Sequence, residues 1–245
     1  MTSVSRILGA PTLFVALLAC GLPGTVRAQA GEWTIDDILL AESASQYRIS
    51  PDGQWLVWVK GEVDEEEGSR FANLFLSSLT EEIEVQLTRG MHSHSSPRWS
   101  PDGKLISFMS SRPLPEKRGD AASSQLWLLN PSGGEPWPAT QFERGIRNYE
   151  WVDANTIVFS AQEDASLYER ETDKEKDTSR VVDDEEHTPP VRLFRYTIED
   201  KKVVRLTDNE DRIQSFALSP DGTRAVAVHS RSLSYGYDQR VPPVT

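Results

Sequence analysis

The sequence is poor in cysteine and in basic residues. Its single cysteine, Cys20, cannot form an internal disulfide, so the stability of the folded chain must come from packing. There are 26 Lys+Arg against 38 Asp+Glu, which gives a formal net charge of -12. Because phosphate backbones are bound by basic surfaces, we expect no nucleic-acid partner. Beyond the first 30 residues no apolar run is long enough to cross a bilayer, so we expect no transmembrane segment.

Residues 1–30 have the pattern of a signal peptide. Arg6 precedes an apolar stretch from Ile7 to Ala19, and Ala28-Gln29-Ala30 places small residues where a signal peptidase cleaves. We therefore predict an exported protein, periplasmic or extracellular, whose folded part occupies residues 31–245. The alternative is a lipid anchor on Cys20, because Leu17-Leu18-Ala19-Cys20 resembles a lipoprotein signal. Of the two, cleavage by signal peptidase is the favoured prediction.

The sequence also lacks the common catalytic and metal-binding motifs. It contains no Gly-x-Ser-x-Gly elbow, no Gly-rich phosphate loop and no His-Glu-x-x-His pair. His92 and His94 are two residues apart, but no third ligand has suitable spacing, so we expect loop or rim histidines. His187 and His229 are each isolated in the sequence. We predict no catalytic residue, no metal site and no cofactor in this chain.

A four-residue turn motif recurs along the chain. Ser-Pro-Asp-Gly begins at Ser50, at Ser100 and at Ser219, and a degenerate copy runs from Trp151 to Asn155. Pro presets φ for a turn, Asp tolerates the next position, and Gly takes the left-handed position that follows. Each copy precedes an apolar run that is typical of a strand.

The residues around the turns keep a fixed register. A Leu-led strand pattern is followed 14 residues later by Thr, and 12 residues after that by the first turn residue. The three sets are Leu74, Thr88 and Ser100; Leu126, Thr140 and Val152; and Leu193, Thr207 and Ser219. Only the segment between the post-turn strand and the Leu-led strand varies in length, which is typical of a loop between packed strands.

This register predicts an all-β, incomplete β-propeller of antiparallel blades, each with four strands, the last of which ends at the Thr. We expect about three and a half blades, at about 43–90, 91–142, 143–209 and, as a partial blade, 210–245. A charged insertion occupies 163–190 and is expected to be a solvated loop. Thr34 to Asp37 predicts a short capped helix that packs against the first blade. A β-sandwich is less favoured because sandwiches have no fixed internal period.

Three segments carry a resemblance to a known family. They run from Trp33 to Leu39, from Glu185 to Phe194 and from Arg205 to Asn209. In these segments the chain resembles the N-terminal propeller of the prolyl oligopeptidase family of serine peptidases, in its dipeptidyl-peptidase and acylaminoacyl-peptidase branches. The resemblance implies a C-terminal α/β-hydrolase domain with Ser, Asp and His, and a propeller that filters peptide substrates by size.

The resemblance also sets an expectation about activity. The sequence ends at Thr245, before any hydrolase domain, so we expect a fragment that is inactive alone and meets peptide substrates only through the missing domain. TolB-like periplasmic propellers share the Ser-Pro-Asp-Gly repeat. The alternative function is therefore a non-enzymatic protein-interaction module of that kind.

Overall fold

The computed structural model describes residues 34–115, 123–163 and 189–230. The predicted signal peptide with Cys20, most of the charged insertion with His187, and the residues after 230 lie outside this description. The described residues form one helix and fourteen strands. These are α1 (Ile35–Leu39), β1 (Ser43–Ile49), β2 (Trp55–Val63), β3 (Arg70–Ser78), β4 (Glu84–Gln86), β5 (His94–Trp99), β6 (Ile106–Ser110), β7 (Gln125–Leu129), β8 (Trp137–Pro138), β9 (Ile146–Trp151), β10 (Thr156–Gln162), β11 (Val191–Thr197), β12 (Lys202–Arg205), β13 (Arg212–Leu218) and β14 (Ala225–Ser230).

The strands pair as successive antiparallel sheets in chain order. Blade 1 has the order β1-β2-β3-β4, blade 2 has β5-β6-β7-β8, and blade 3 has β9-β10-β11-β12. The β13–β14 hairpin begins a further blade and joins β11 through a single parallel pairing between Val191 and Arg212. The predicted fold class, an all-β propeller type with four-stranded antiparallel blades, is confirmed.

Hydrogen bonds explain why the turn motif recurs. In the first copy, the Ser50 N–H donates to the Trp55 carbonyl and the Gly53 N–H donates to the Ser50 carbonyl. The Ser50 hydroxyl donates to Asp52 and accepts from the Trp55 N–H, and the Asp52 carboxylate accepts from the Gln54 N–H. The hydroxyl of Ser50 thereby lowers the pKa of Asp52. Gly53 has φ 72°, in the left-handed region that favours glycine. The copies at Ser100 and Ser219 repeat the Ser–Asp hydrogen bond.

The 14-residue spacing also has a direct cause. The Leu74 N–H donates to the Thr88 hydroxyl at 2.9 Å, and Leu126 and Leu193 make the same bond to Thr140 and Thr207 at 2.9 and 3.0 Å. The prediction that the fourth strand ends at this threonine is wrong. β4, β8 and β12 each end two residues earlier, because the side-chain hydroxyl takes over as acceptor for the neighbouring strand.

Blade 2 buries both of its faces. Leu126 and Leu128 of β7 pack in a cluster with Tyr149 of blade 3, whereas Trp127 packs in a second cluster with Val57 of blade 1. All five residues of β7 are buried, since alternate side chains of a strand point to opposite faces. A third cluster packs blade 3 against the β13–β14 hairpin. The apolar core therefore consists of layers between successive sheets.

The first strands of neighbouring blades lie close together. β1 contacts β5, β9 contacts β13, and Tyr149 of β9 donates to the Ser96 carbonyl of β5, so the first strand of each sheet forms its inner edge. The fourth strands make no comparable approach to one another in the described ranges. The sheets thus fan outward from a common inner side, with the Ser-Pro-Asp-Gly turns at one end of it.

The short helix forms as predicted but does not pack as predicted. Thr34 and Asp37 form a capping box at its start. The prediction that it packs against the first blade is wrong, because Ile35, Ile38 and Leu39 are 75%, 62% and 54% exposed. The neighbouring β1 has the largely polar sequence Ser-Ala-Ser-Gln-Tyr-Arg-Ile.

Candidate functional site

The inner strands are interrupted by bulges at equivalent positions. The pairing register shifts between Ser45 and Arg48 in β1 and between Ser95 and Arg98 in β5. The residues inside these shifts, Gln46 and Ser96, have φ of 56° and 53°. A β-bulge of this kind leaves backbone groups without strand partners and redirects the side chains that follow.

The bulge in blade 2 is bonded to both neighbouring blades. The Ser96 N–H donates to the side-chain oxygen of Gln46 in blade 1, and the Ser96 carbonyl accepts from the Tyr149 hydroxyl in blade 3. Both backbone groups that the bulge frees from the ladder are therefore satisfied. This single residue joins three blades at their inner edges.

A buried polar network continues from the bulge. The Ser107 hydroxyl lies 3.1 Å from the Tyr149 hydroxyl and 3.1 Å from the Arg98 carbonyl, and it accepts from the Trp151 indole N–H at 2.8 Å. Burial raises the pKa of Tyr149, while the Ser107 hydrogen bond and the charges of Arg98 and Arg48 oppose the rise. The phenol therefore acts as a neutral hydrogen-bonding group that positions the inner edge of blade 3.

A cavity of about 410 Å³ opens where the inner strands reach the turns. We call it the inner cavity, and its lining includes Arg48, Ile49, Arg98, Trp99, Glu150 and Trp151. Arg48, Arg98 and Glu150 are equivalent residues, each two positions before the first turn residue of its own blade. The Trp99 indole N–H donates to the Arg48 carbonyl at 3.0 Å, which fixes one wall. Its volume falls within the range of small-ligand sites.

The charges in the inner cavity are incompletely paired. The guanidinium carbon of Arg98 lies 5.4 Å from the centroid of the Tyr149 ring, and Arg48 Nη1 donates to the Tyr47 carbonyl at 2.9 Å. Glu150 Oε2 accepts from the Leu218 N–H at 2.9 Å. In the described part of the chain, no carboxylate oxygen lies within 4.0 Å of either guanidinium.

Repeat alignment could have identified this site from the sequence. The turn motif starts at Ser50 and Ser100, and its degenerate copy aligns Val152 with them. Arg48 and Arg98 occupy the place two residues upstream in successive repeats, and Glu150 occupies it in the next. The fixed spacing of the repeats is the sequence signal that identifies these residues, since no known catalytic motif contains them.

The expectation of loop or rim histidines is wrong for His94. This residue begins β5, is 2% exposed, and lies edge-on to Phe108 with 5.5 Å between ring centroids. Neither ring nitrogen has a hydrogen-bond partner among the described residues. Burial, with smaller contributions from the charges of His92 and Arg112, lowers the pKa of His94 to about 4. His92 lies before the strand and is half-buried.

The interpretation of His229 as an isolated residue is also wrong. It lies within β14, and its Nδ1 is 2.8 and 3.0 Å from the two carboxylate oxygens of Asp211. The β13–β14 hairpin brings together residues that are 18 positions apart. This pair lies outside the lining of the inner cavity.

The ends of the charged insertion are joined to each other. Gln162 donates from its side chain to the Pro189 carbonyl at 2.9 Å, and the Glu163 N–H donates to the Pro190 carbonyl at 3.0 Å. Glu163 Oε1 also accepts from Arg192 at 3.0 Å and from Arg205 at 3.1 Å. The insertion therefore starts and ends at one anchored point, at the end of blade 3 opposite its turn.

Across 34–115, 123–163 and 189–230, no three His, Cys, Asp or Glu side chains are grouped so that they could hold a metal ion. Within the same ranges, no helix has the length and apolar character needed to cross a membrane.

Comparison with known proteins finds similarity both in sequence and in structure. No protein-family model matches the chain. Over 141 residues it is 31% identical to a Bacillus subtilis (strain 168) protein named uncharacterized peptidase YuxL, an alignment covering 56% of this chain and 20% of that protein. The chain thus spans about a fifth of the length of this curated relative.

The solved structures share the fold at low sequence identity. An acylaminoacyl peptidase from Pyrococcus horikoshii superimposes with a TM-score of 0.52 at 15% identity, covering 71% of this chain and 26% of that one. An oligogalacturonate lyase in complex with manganese gives a TM-score of 0.53 at 15% identity, covering 76% and 46%. Because a peptidase and a lyase match equally well, these likenesses establish the propeller fold and leave the activity open.

Proposed function

We propose that the chain is the substrate-filtering propeller segment of an exported serine peptidase that hydrolyses short peptides. The observation that carries this proposal is the 31% identity to a protein named as a peptidase, over 141 residues. The segments that resemble the prolyl oligopeptidase family support the same assignment. The proposal includes membership of the dipeptidyl-peptidase or acylaminoacyl-peptidase branch, export through residues 1–30, and a hydrolase domain beyond Thr245.

The packing of the blades is compatible with a filter. A propeller excludes folded proteins when its blades are rigid and their inner edges leave a narrow passage. Blade 2 is buried on both faces, and Ser96 ties its inner edge to Gln46 and Tyr149. Such a wall resists the spreading that a bulky substrate would require, whereas an extended peptide needs no spreading.

The reading frame beyond Thr245 provides the first test. We expect it to encode a Gly-x-Ser-x-Gly elbow followed by Asp and His, in that order. The protein encoded by the whole frame should hydrolyse chromogenic di- and tripeptides and leave a folded protein substrate intact. Replacing the elbow serine by alanine is the control and should abolish hydrolysis.

Two outcomes would contradict the proposal. A frame that continues with further Ser-Pro-Asp-Gly units and then stops, with no hydrolase domain, would favour the TolB-like interaction module instead. Equal cleavage of folded proteins and short peptides by the whole protein would remove the filter role while leaving the peptidase assignment in place.

A further inference from the structure

The inner cavity has the composition of an anion-recognition site. We infer that it binds the carboxylate of an extended peptide, through Arg48 of blade 1 and Arg98 of blade 2. This inference goes beyond the proposed filter role and does not depend on it, since binding requires no hydrolase domain. It starts from two arginines that line one cavity and whose guanidinium groups have no carboxylate partner among the described residues.

The two arginines line one cavity although the chain is strongly acidic. The chain carries 38 Asp+Glu, yet none of those described lies within 4.0 Å of either guanidinium. Arg98 lies over the Tyr149 ring, with 5.4 Å from its guanidinium carbon to the ring centroid, and both arginines line the same cavity. Two like charges that share a cavity repel each other, and an anion between them converts this repulsion into attraction.

Glu150 narrows the class of anion. Two arginines and one glutamate give the cavity lining a formal charge of +1, which suits a monoanionic carboxylate better than a dianionic phosphate. Glu150 Oε2 already accepts from the Leu218 N–H, so its second oxygen is the one available to a peptide N–H. A carboxylate beside an N–H group is what the end of a peptide chain, or an acidic side chain, presents.

The walls of the cavity suit a peptide as well. Trp99, Trp151 and Ile49 provide apolar surface beside the charged groups. The indole of Trp99 is held by the Arg48 carbonyl, and that of Trp151 is held by Ser107, so both rings are fixed before a ligand arrives. Preorganised aromatic surface next to a guanidinium fork lowers the ordering cost of binding.

The indole N–H groups of Trp99 and Trp151 can report ligand binding in the inner cavity. We propose a titration followed by NMR of the indole N–H groups, with Trp58 as an internal control because its indole donates to Ser77 and it does not line the cavity. The probes are N-acetyl-dialanine with a free carboxylate, its C-terminal amide, and N-acetyl-Ala-Glu amide. The free-carboxylate peptide should shift Trp99 and Trp151 and leave Trp58 unchanged. The amide should bind at least about tenfold more weakly. The Ala-Glu amide distinguishes an acidic side chain from a chain end as the preferred source of the carboxylate.

Matched variants test the two arginines. Arg48→Gln and Arg98→Gln should each weaken binding by about fivefold or more, and the double variant should abolish it. Arg195→Gln, at an exposed arginine of β11, should have no effect. An unchanged Trp58 indole resonance in the free variants would show that the fold is retained. The inference is overturned if the amide binds as well as the acid, if folded Arg variants bind normally, or if no probe binds at about 20 mM.

Discussion

Acidification should destabilise the fold through one buried side chain, His94. Its pKa is about 4 in the folded chain, below its ordinary value of 6.5, because burial disfavours the imidazolium. A depressed folded-state pKa means that the fold has its full stability above pH 6.5, where His94 is neutral in both the folded and the unfolded chain. Stability is lost as the pH falls from 6.5 towards 4, since over this interval the unfolded chain binds the proton and the folded chain does not.

The size of the effect follows from these two pKa values. At about 1.4 kcal/mol per pH unit, the interval between 6.5 and about 4 corresponds to roughly 3 kcal/mol when fully expressed. At pH 4.5, near the end of that interval, we expect a loss of about 2.5 kcal/mol in the free energy of unfolding from His94 alone. That is a large part of the stability of an ordinary domain.

Urea unfolding at pH 7 and pH 4.5 isolates this contribution when the native chain is compared with His94→Leu. The variant removes two buried ring nitrogens that lack partners among the described residues, so at pH 7 it should be as stable as the native chain or about 1 kcal/mol more stable. Between the two pH values the native chain should lose about 2.5 kcal/mol more than the variant.

The comparison has its own internal controls. Carboxylates with lowered pKa, such as Asp52, Asp102 and Asp221, also destabilise the fold in acid, but they do so equally in both chains. His92→Leu, at the half-buried histidine nearby, should leave the acid sensitivity in place. If His94→Leu and the native chain lose the same stability between pH 7 and pH 4.5, the burial of an unpartnered neutral His94 is refuted.

Three substitutions test other parts of the fold by urea unfolding. Thr140→Val leaves the Leu126 N–H and Gln125 without their hydroxyl partner and should lower the free energy of unfolding by about 1–3 kcal/mol. The surface control Thr80→Val should have almost no effect. Equal losses in the two variants would disprove the role of the threonine hydrogen bond. Tyr149→Phe should cost about 1–2 kcal/mol, because the Ser96 carbonyl loses its donor, while Tyr47→Phe at an exposed ring should cost little. Gly222→Ala should destabilise the fold more than Gly53→Ala. Both glycines have positive φ, which costs an alanine about 1–2 kcal/mol. Only at Gly222 would the new Cβ also meet Val152, at 2.6 Å. A reversed order would contradict that packing.

The repeating part of the fold could be predicted from the sequence because its spacings are set by local hydrogen bonds. The interval from Leu74 to Thr88 recurs since the hydroxyl must accept from that backbone N–H in every blade. The turn recurs because Ser50, Asp52 and Gly53 satisfy each other. Both sets of contacts lie within one blade, so a single repeat contains all the residues that they need.

The features that escaped prediction depend on contacts between blades. The bulge at Ser96 is satisfied by Gln46 and Tyr149, which are 50 and 53 residues away and belong to other repeats. His94 is 2% exposed and lies edge-on to Phe108 of the adjacent strand, and nothing in its adjacent sequence marks it as a core residue. The inner cavity likewise exists only where three first strands meet, so its residues become neighbours only once the blades have packed.

Nuclear Overhauser effects between the inner strands would show most directly whether successive sheets converge at one edge. We expect a contact from the Trp99 indole N–H to Arg48, across blades 1 and 2, and another from the Tyr149 ring to Ser96, across blades 2 and 3. Both should appear in the same sample together with the antiparallel ladder contacts of each blade. Intact ladders with neither cross-blade contact would mean that the sheets pack in another way. That result would refute the propeller arrangement of the blades.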